Sequence, residues 1–208
     1  MTQGCSSSRP RSGDEEKSPS ANTKIIADAY LFDTKVTREG KFGSMRLEIF
    51  DADSVIALSG RAYLGKGALR GRITRDSVKL YFPTSNQYVA TSFDELLRSD
   101  SCNLSVSRDE LLGIFRHRPP TVPSPTAGQF SVIQQSTNDA ELVATWCGKV
   151  FDLKYYQTSE DWRIGSFTFS DSLGTEIKAN RREMRVGVRI KSRQFQVTIP
   201  ADAERIKP

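Results

Sequence analysis

The chain has 208 residues, enough for one domain with a substantial core, and its 37% apolar and 9% aromatic content fits a globular protein carrying a disordered extension. It contains no run of about eighteen apolar residues, so no helix crosses a bilayer. Thirty Lys and Arg against 25 Asp and Glu leave a net charge of +5. An excess of that size suits a solvated surface, an anionic membrane or a nucleic acid. No recognition helix, zinc finger or RNA-recognition pattern supports the last of these, and nucleic acid is not an expected partner.

The sequence opens Met1-Thr2-Gln3-Gly4-Cys5-Ser6-Ser7-Ser8. A Gly-Cys pair before a serine run resembles the cleavage site of bacterial lipoprotein signal peptides. In that family the cysteine becomes the acylated mature N-terminus, which makes Cys5 the lipidation candidate. The apolar segment that precedes such sites is not in this sequence. Residues 6 to about 22 are Ser, Pro, Arg, Asp, Glu, Lys and Gly, with no apolar side chain larger than that of Ala21. Such a segment cannot bury enough surface to offset its ordering entropy, so 1–24 is read as a disordered tether of roughly 20–25 Å mean reach.

From residue 25 to 208 the dominant period is two. Ile56 and Leu58 alternate with Val55, Ala57 and Ser59; Leu69 and Ile73 flank Arg70 and Arg72; Val78, Leu80 and Phe82 alternate with Lys79 and Tyr81; Phe167 and Phe169 alternate with Thr168 and Ser170. These are half-buried strands. Turn signals separate the strands at Arg38-Glu39-Gly40, Asp51-Ala52-Asp53, Gly65-Lys66-Gly67, Arg75-Asp76-Ser77, Thr84-Ser85-Asn86, Ser159-Glu160-Asp161 and Asp171-Ser172-Leu173-Gly174. Loops this short imply an antiparallel meander. Helical starts are predicted at Ser92–Leu97 and, with a capping-box spacing, at Ser107–Phe115, before the Pro-rich connection 118–125. Toward the C-terminus the apolar phase flips from Val186, Val188 and Ile190 to Phe195, Val197 and Ile199, which predicts a hairpin or bulge between Lys191 and Gln194. The fold class is therefore mainly β: an incomplete antiparallel barrel of about a dozen strands, with short helices over its concave face.

Catalytic and metal signatures are lacking. Gly60–Gly67 approximates a phosphate-binding loop but has no Ser or Thr after its lysine and no following helix. His117 is the single histidine, and Cys5, Cys102 and Cys147 make a poor metal set beside it. Asp51 and Asp53 read as a turn. Tyr155, Tyr156 and Trp162 read as a cross-strand aromatic cluster or the lining of a ligand groove. No cofactor is expected, and the mode of action is read as binding.

The stretch Gly67–Tyr81 with Asn86-Gln87-Tyr88-Val89, the later Leu111-Leu112-Gly113, and the finish Phe195-Gln196-Val197-Thr198-Ile199-Pro200 resemble bacterial lipoproteins of unknown function in the LolA/LolB superfamily, over roughly residues 30–205. The resemblance implies an incomplete antiparallel barrel around an apolar cavity. It also implies a lipid-anchored monomer of the cell envelope whose partners are acyl chains or lipoproteins. Ser6 after the cysteine favours the periplasmic face of the outer membrane. On this reading Ile56, Leu58, Leu69, Ile73, Val78, Leu80, Phe82, Phe167 and Phe169 line the cavity. Tyr63-Leu64-Gly65 falls where the superfamily's receptor carries a protruding apolar loop. Arg185, Arg189, Lys191 and Arg193 are expected on one side of one hairpin, with Arg70 and Arg72 extending the patch toward anionic headgroups. With Cys5 acylated, Cys102 and Cys147 are left as an even pair, either bridged or separately buried and reduced. The competing functions are a structural or adaptor lipoprotein with a filled interior and a basic cytoplasmic nucleic-acid-binding domain.

Overall fold

Glu39 and Gly40 form a two-residue turn with φ of 50° and 75°. That left-handed backbone matches the right-handed twist of the strands it joins. It links β1 (Lys24–Arg38) to β2 (Lys41–Ala52), in unbroken register from Arg38 opposite Lys41 to Asp28 opposite Asp51. The computed structural model describes residues 23–62, 65–92, 95, 98–99, 102–103, 130–146, 149–158 and 162–207. The meander continues through β3 (Val55–Ala62), β4 (Gly67–Thr74), β5 (Ser77–Phe82) and β6 (Gln87–Ser92). Side chains close the turns the sequence marked. The Thr74 and Ser77 hydroxyls lie 2.8 Å apart, and Tyr81 Oη donates to Asn86 Oδ1 at 3.0 Å.

Two residues each of β7 (Arg98–Ser99) and β8 (Cys102–Asn103) pair as a separate ribbon. A second meander follows: β9 (Phe130–Gln135), β10 (Asp139–Trp146), β11 (Lys149–Gln157), β12 (Trp162–Asp171) and β13 (Glu176–Lys191). β13 then pairs antiparallel with β1, joining the two meanders into one sheet of eleven antiparallel strands. A twelfth, β14 (Glu204–Arg205), adds two residues in parallel to β6 at one edge, and β9 is the other edge. The two edges do not pair, so the sheet is open, as the strand pattern predicts. The predicted helix at 107–115 and the Pro-rich connection lie outside the described residues. Of 92–97, Glu95 sits in a helical turn, and its amide donates to the capping Ser92 hydroxyl at 3.0 Å.

Directly opposed residues of an antiparallel pair share a face, so the registers sort every side chain. Tyr30, Phe32 and Thr34 stand on the same face as Leu47 and Ile49 of β2, Leu58 of β3, Ala179 of β13, Phe167 of β12, Leu153 of β11 and Leu142 of β10. This apolar face holds the main core. Phe32 and Leu142 are fully buried, and the Phe32 ring meets the edge of Phe167 at 5.6 Å between centroids. The opposite face is charged across its middle and carries a smaller core at one end, where the small side chains of Ala27, Ala29, Ala52 and Ala57 leave room for Phe195 against Phe50.

The C-terminal end corrects the sequence reading. The phase flip after Lys191 is made by a 3-10 turn, Ser192–Phe195, and not by a hairpin. The turn drops Phe195 onto the alanine-lined depression, and residues 196–200 follow outside the strands. Two further shifts lie within β13. Val186 and Gly187 together oppose Asp28, and Arg182 is an extra residue between the pairs Leu31–Glu183 and Phe32–Arg181. Gly187 takes φ 62°, and its amide donates to Asp28 Oδ1 at 2.9 Å. The same carboxylate meets Arg163 of β12 at 3.6 Å, with both side chains largely buried.

Because Phe32 is fully buried at the centre of the apolar face, Phe32→Ala is expected to cost about 3–5 kcal/mol of unfolding free energy. Urea denaturation checks this; a loss below about 1 kcal/mol would mean that the site collapses freely.

Candidate functional site

Strand register brings all nine residues predicted for an acyl site to the apolar face. Ile56 pairs with Ile73 and Ile73 with Val78, while Leu58 and Leu80 flank Gly71. Leu69 pairs with Gly60, and Phe82 continues the β5 row. On the other side of β1, Phe167 pairs with Ala179 and Phe169 with Ile177. Ile56 and Val78 are buried and the other seven half-buried. Phe169 also packs on Phe151 at 4.9 Å. Gly71 is needed for this packing: a Cβ there would lie 2.9 Å from Leu80 Cδ2 and 3.0 Å from Leu58 Cβ.

Polar groups enter this face at few points. Thr34 is 2% exposed, and its Oγ1 has no hydrogen-bond partner, between Met45 and Ala179 directly across the sheet. Arg181 enters between Phe32 and Ile164 and donates to the Ile164 carbonyl at 2.9 Å. Burial pushes the Tyr30 phenol up to about 12, and burial also raises that of Tyr155.

The nine residues line neither of the two larger described spaces. One, about 580 Å³, lies at the β1–β2–β3 end and is lined from both faces, by Thr34, Met45 and Ala62 of the apolar face and more extensively by the charged one. Asn180, Asp33, Arg46 and Arg61 form one cross-strand row in it, joined by Lys35 and Ser44. Its ion pairs, Arg182–Asp33 at 3.9 Å and Arg61–Glu48 at 4.0 Å, are exposed and contribute little. The other, about 310 Å³, lies beside Glu141, Lys154 and Tyr156. Among the described residues no three His, Cys, Asp or Glu side chains converge as a metal site would require.

Two predicted constellations come apart. Arg185 opposes Ala29, whereas Arg189 opposes Ile26 and Lys191 opposes Lys24. The extra residue at Val186–Gly187 puts Arg185 on one face and Arg189 and Lys191 on the other. Arg185 pairs instead with Glu183 at 3.2 Å, and Arg193 sits exposed in the 3-10 turn. Arg70 and Arg72 share the face of Arg185, with Arg70 donating to Ser59 at 2.9 Å. The aromatic cluster splits likewise. Tyr155 and Trp162 join the core, while Tyr156 is 45% exposed and lies over Gly165, the extra residue of β12.

The phosphate-loop-like segment is the β3–β4 hairpin, closed by Ala62 N donating to Lys66 O at 2.8 Å, with exposed Gly65 at φ 73°. Cys5, Cys147, Tyr63, Leu64 and His117 lie outside the described residues, and Cys102 begins β8. The sequence reading passed over Tyr30, Phe32 and Thr34, although their even spacing in a strand carries the same signal as Val78, Leu80 and Phe82. Phe42, unmarked in the sequence pattern, and Leu173, marked there only as part of a turn, are among the most exposed large apolar side chains described.

No family model matches the sequence, and no curated protein does. Solved structures with a similar arrangement of strands include an uncharacterized conserved protein from Thermus thermophilus (13% identity, 86% of this chain and 89% of that one, TM-score 0.47). A putative outer membrane lipoprotein-sorting protein domain from Vibrio parahaemolyticus is similar at 11% identity over 76% of this chain and 84% of that one, TM-score 0.40. A DUF1329 family protein from Desulfovibrio piger is similar at 8% identity over 82% and 89%, TM-score 0.45.

The buried phenols give a pH signature. Tyr30 is protonated in the folded state up to about 12, above its ordinary 10.0, so its contribution is complete below pH 10 and is lost as pH rises toward 12. Spectrophotometric titration is expected to show Tyr30 and Tyr155 ionising above the ordinary range, with stability falling over that window. Six tyrosines ionising together near pH 10 in the folded protein would contradict it.

Proposed function

We propose that the chain is a cell-envelope protein that holds acyl chains of lipids or lipoproteins against the apolar face of its sheet and catalyses no reaction. The observation that carries this reading is the continuity of that face, which runs from Val89 on β6 to Leu142 on β10 with its apolar residues in register. An acyl chain laid there gains about 0.8 kcal/mol per buried CH₂. The unpartnered Thr34 hydroxyl supplies a donor for an ester or amide carbonyl at the head of such a chain. In the same reading Cys5 carries the lipid anchor, and Leu64 at the β3–β4 turn touches lipid or an incoming lipoprotein. Cys102 and Cys147 form a bridge, and the protein works as a monomer at the periplasmic face of the outer membrane.

One observation favours the alternative, an adaptor that docks a protein partner. The space of about 580 Å³ is lined largely by charged and polar side chains on the other face.

Native mass spectrometry of the full chain purified from a bacterial envelope is expected to show bound lipid. Phe169→Ser should weaken binding of a fluorescent fatty-acyl ester by about tenfold to a hundredfold, the effect of roughly 1.5–3 kcal/mol of lost burial. Thr34→Val separates the readings most cleanly. It removes a buried unsatisfied hydroxyl, so thermal stability should hold or rise, while affinity for the ester falls by about fivefold (about 1 kcal/mol). A chain that purifies without lipid and ignores the ester would leave the adaptor as the working function.

A further inference from the structure

Two rigid hairpin tips at one end of the sheet carry exposed apolar side chains. Phe42 follows the Glu39-Gly40 turn and is 89% exposed; Leu173 sits in the β12–β13 turn and is 79% exposed. Register makes the tips neighbours, because Thr37 of β1 pairs with Phe42 on one side and with Glu176 of β13 on the other. Their strands therefore lie about 10 Å apart, two strand spacings. Val150, 37% exposed, belongs to the same end, where Lys149 pairs with Asp171. A leucine at a turn between Ser172 and Gly174 contributes nothing to the core, and β2 gains nothing from a phenylalanine in water.

Both tips are preorganised. In the second, Asp171 Oδ1 accepts the amides of Leu173 at 2.9 Å and Thr175 at 2.8 Å, while Gly174 takes φ 79°. The Thr175 amide chiefly holds the Asp171 carboxyl below its ordinary range, so this acid is turned onto its own backbone. The other acids of this end are also engaged: Glu39 with Arg38 at 3.8 Å and Glu176 with Lys178 at 2.8 Å. Lys35 and Lys41 stay exposed, with no acid within ion-pair reach among the described residues. The uncompensated charge around the apolar tips is thus positive.

We infer that these tips dock on a lipid bilayer, with Phe42 and Leu173 entering the headgroup–acyl boundary and Lys35 and Lys41 meeting anionic headgroups. Rigid apolar points flanked by cations suit an interface that is apolar below and negatively charged above. Fixed turns also spare the docking step an ordering cost. The site lies at the far end of β1 from Thr23, the first described residue, about 50 Å away along a strand of 15 residues. The inference rests neither on an anchor at Cys5 nor on the acyl-binding reading.

The test uses the full chain carrying Cys5→Ser, so that no acyl group contributes, in flotation with phosphatidylcholine vesicles with and without phosphatidylglycerol. The chain should float with the anionic vesicles. Phe42→Ser with Leu173→Ser should lower the partition coefficient about tenfold or more, with an unchanged melting temperature because both side chains are exposed. Lys35→Glu with Lys41→Glu should remove the preference for phosphatidylglycerol. In a Phe42→Trp chain, brominated lipid should quench the added emission. The inference is overturned if the parent ignores anionic vesicles, if the double serine variant floats as the parent does, or if the tip tryptophan is not quenched. Acyl-ester binding by the double serine variant should match the parent, so this result and the acyl-binding result can fail independently.

Discussion

The pairing of β1 with β13 holds the molecule together. Each meander alone could form from short turns, but each would present half an apolar face to water. Thirteen registered pairs from Lys24–Lys191 to Thr37–Glu176 join them. Only then does Phe32, already beside Leu47 of β2, acquire Phe167 on its other side. The cost is loop-closure entropy over nearly the whole chain, which grows only slowly with loop length. The return is the burial of one long apolar face.

That pairing is not regular, and its irregularities have chemical reasons. The extra residue at Val186–Gly187 would leave backbone amides without partners beside the core. The Asp28 carboxylate accepts one of them and is itself met by Arg163. Arg163 in turn acts on Tyr30, where its charge and hydrogen bond oppose the larger effect of burial. A local break in the ladder is thus closed by a side-chain network that ties β1, β12 and β13 together. The extra Gly165 in β12 plays a simpler part: its bare backbone makes room for the Tyr156 ring, which a Cβ would overlap.

The two faces and two ends of the sheet have different chemistry. The apolar face supplies burial for the core. The other face, with its rows of Asp, Glu, Lys and Arg, keeps the molecule solvated. One end is capped by Phe195 over four alanines, while the other presents two apolar side chains on turns too well bonded to fold them away. Enclosing Phe42 and Leu173 would have required longer, looser turns. The Glu39-Gly40 and Asp171–Gly174 turns are instead short and closed.

The strands, their turns and much of the face assignment were legible in the residues alone. Period-two alternation through Ile56, Leu58, Leu69, Ile73, Val78 and Leu80 puts those residues on one face, and short turns keep successive strands in register. Alternation is a local property, so it can be read wherever strands neighbouring in space are also neighbours in the chain. Whatever depends on a partner distant in sequence was settled only by the folded sheet. Parity counted along β13 put Arg185, Arg189 and Lys191 on one side, and parity cannot see an extra residue. The bulge opposite Asp28 reversed the phase and divided them. The C-terminal phase flip was visible in Phe195, Val197 and Ile199, but its form was not. A hairpin needs a strand to pair with, whereas the 3-10 turn needed only the hollow left by Ala27, Ala29, Ala52 and Ala57, residues that come together through the β1–β2–β3 register. The two exposed tips became neighbours for the same reason, since about 130 residues separate Phe42 from Leu173 in the chain and two strand spacings separate their strands in the sheet.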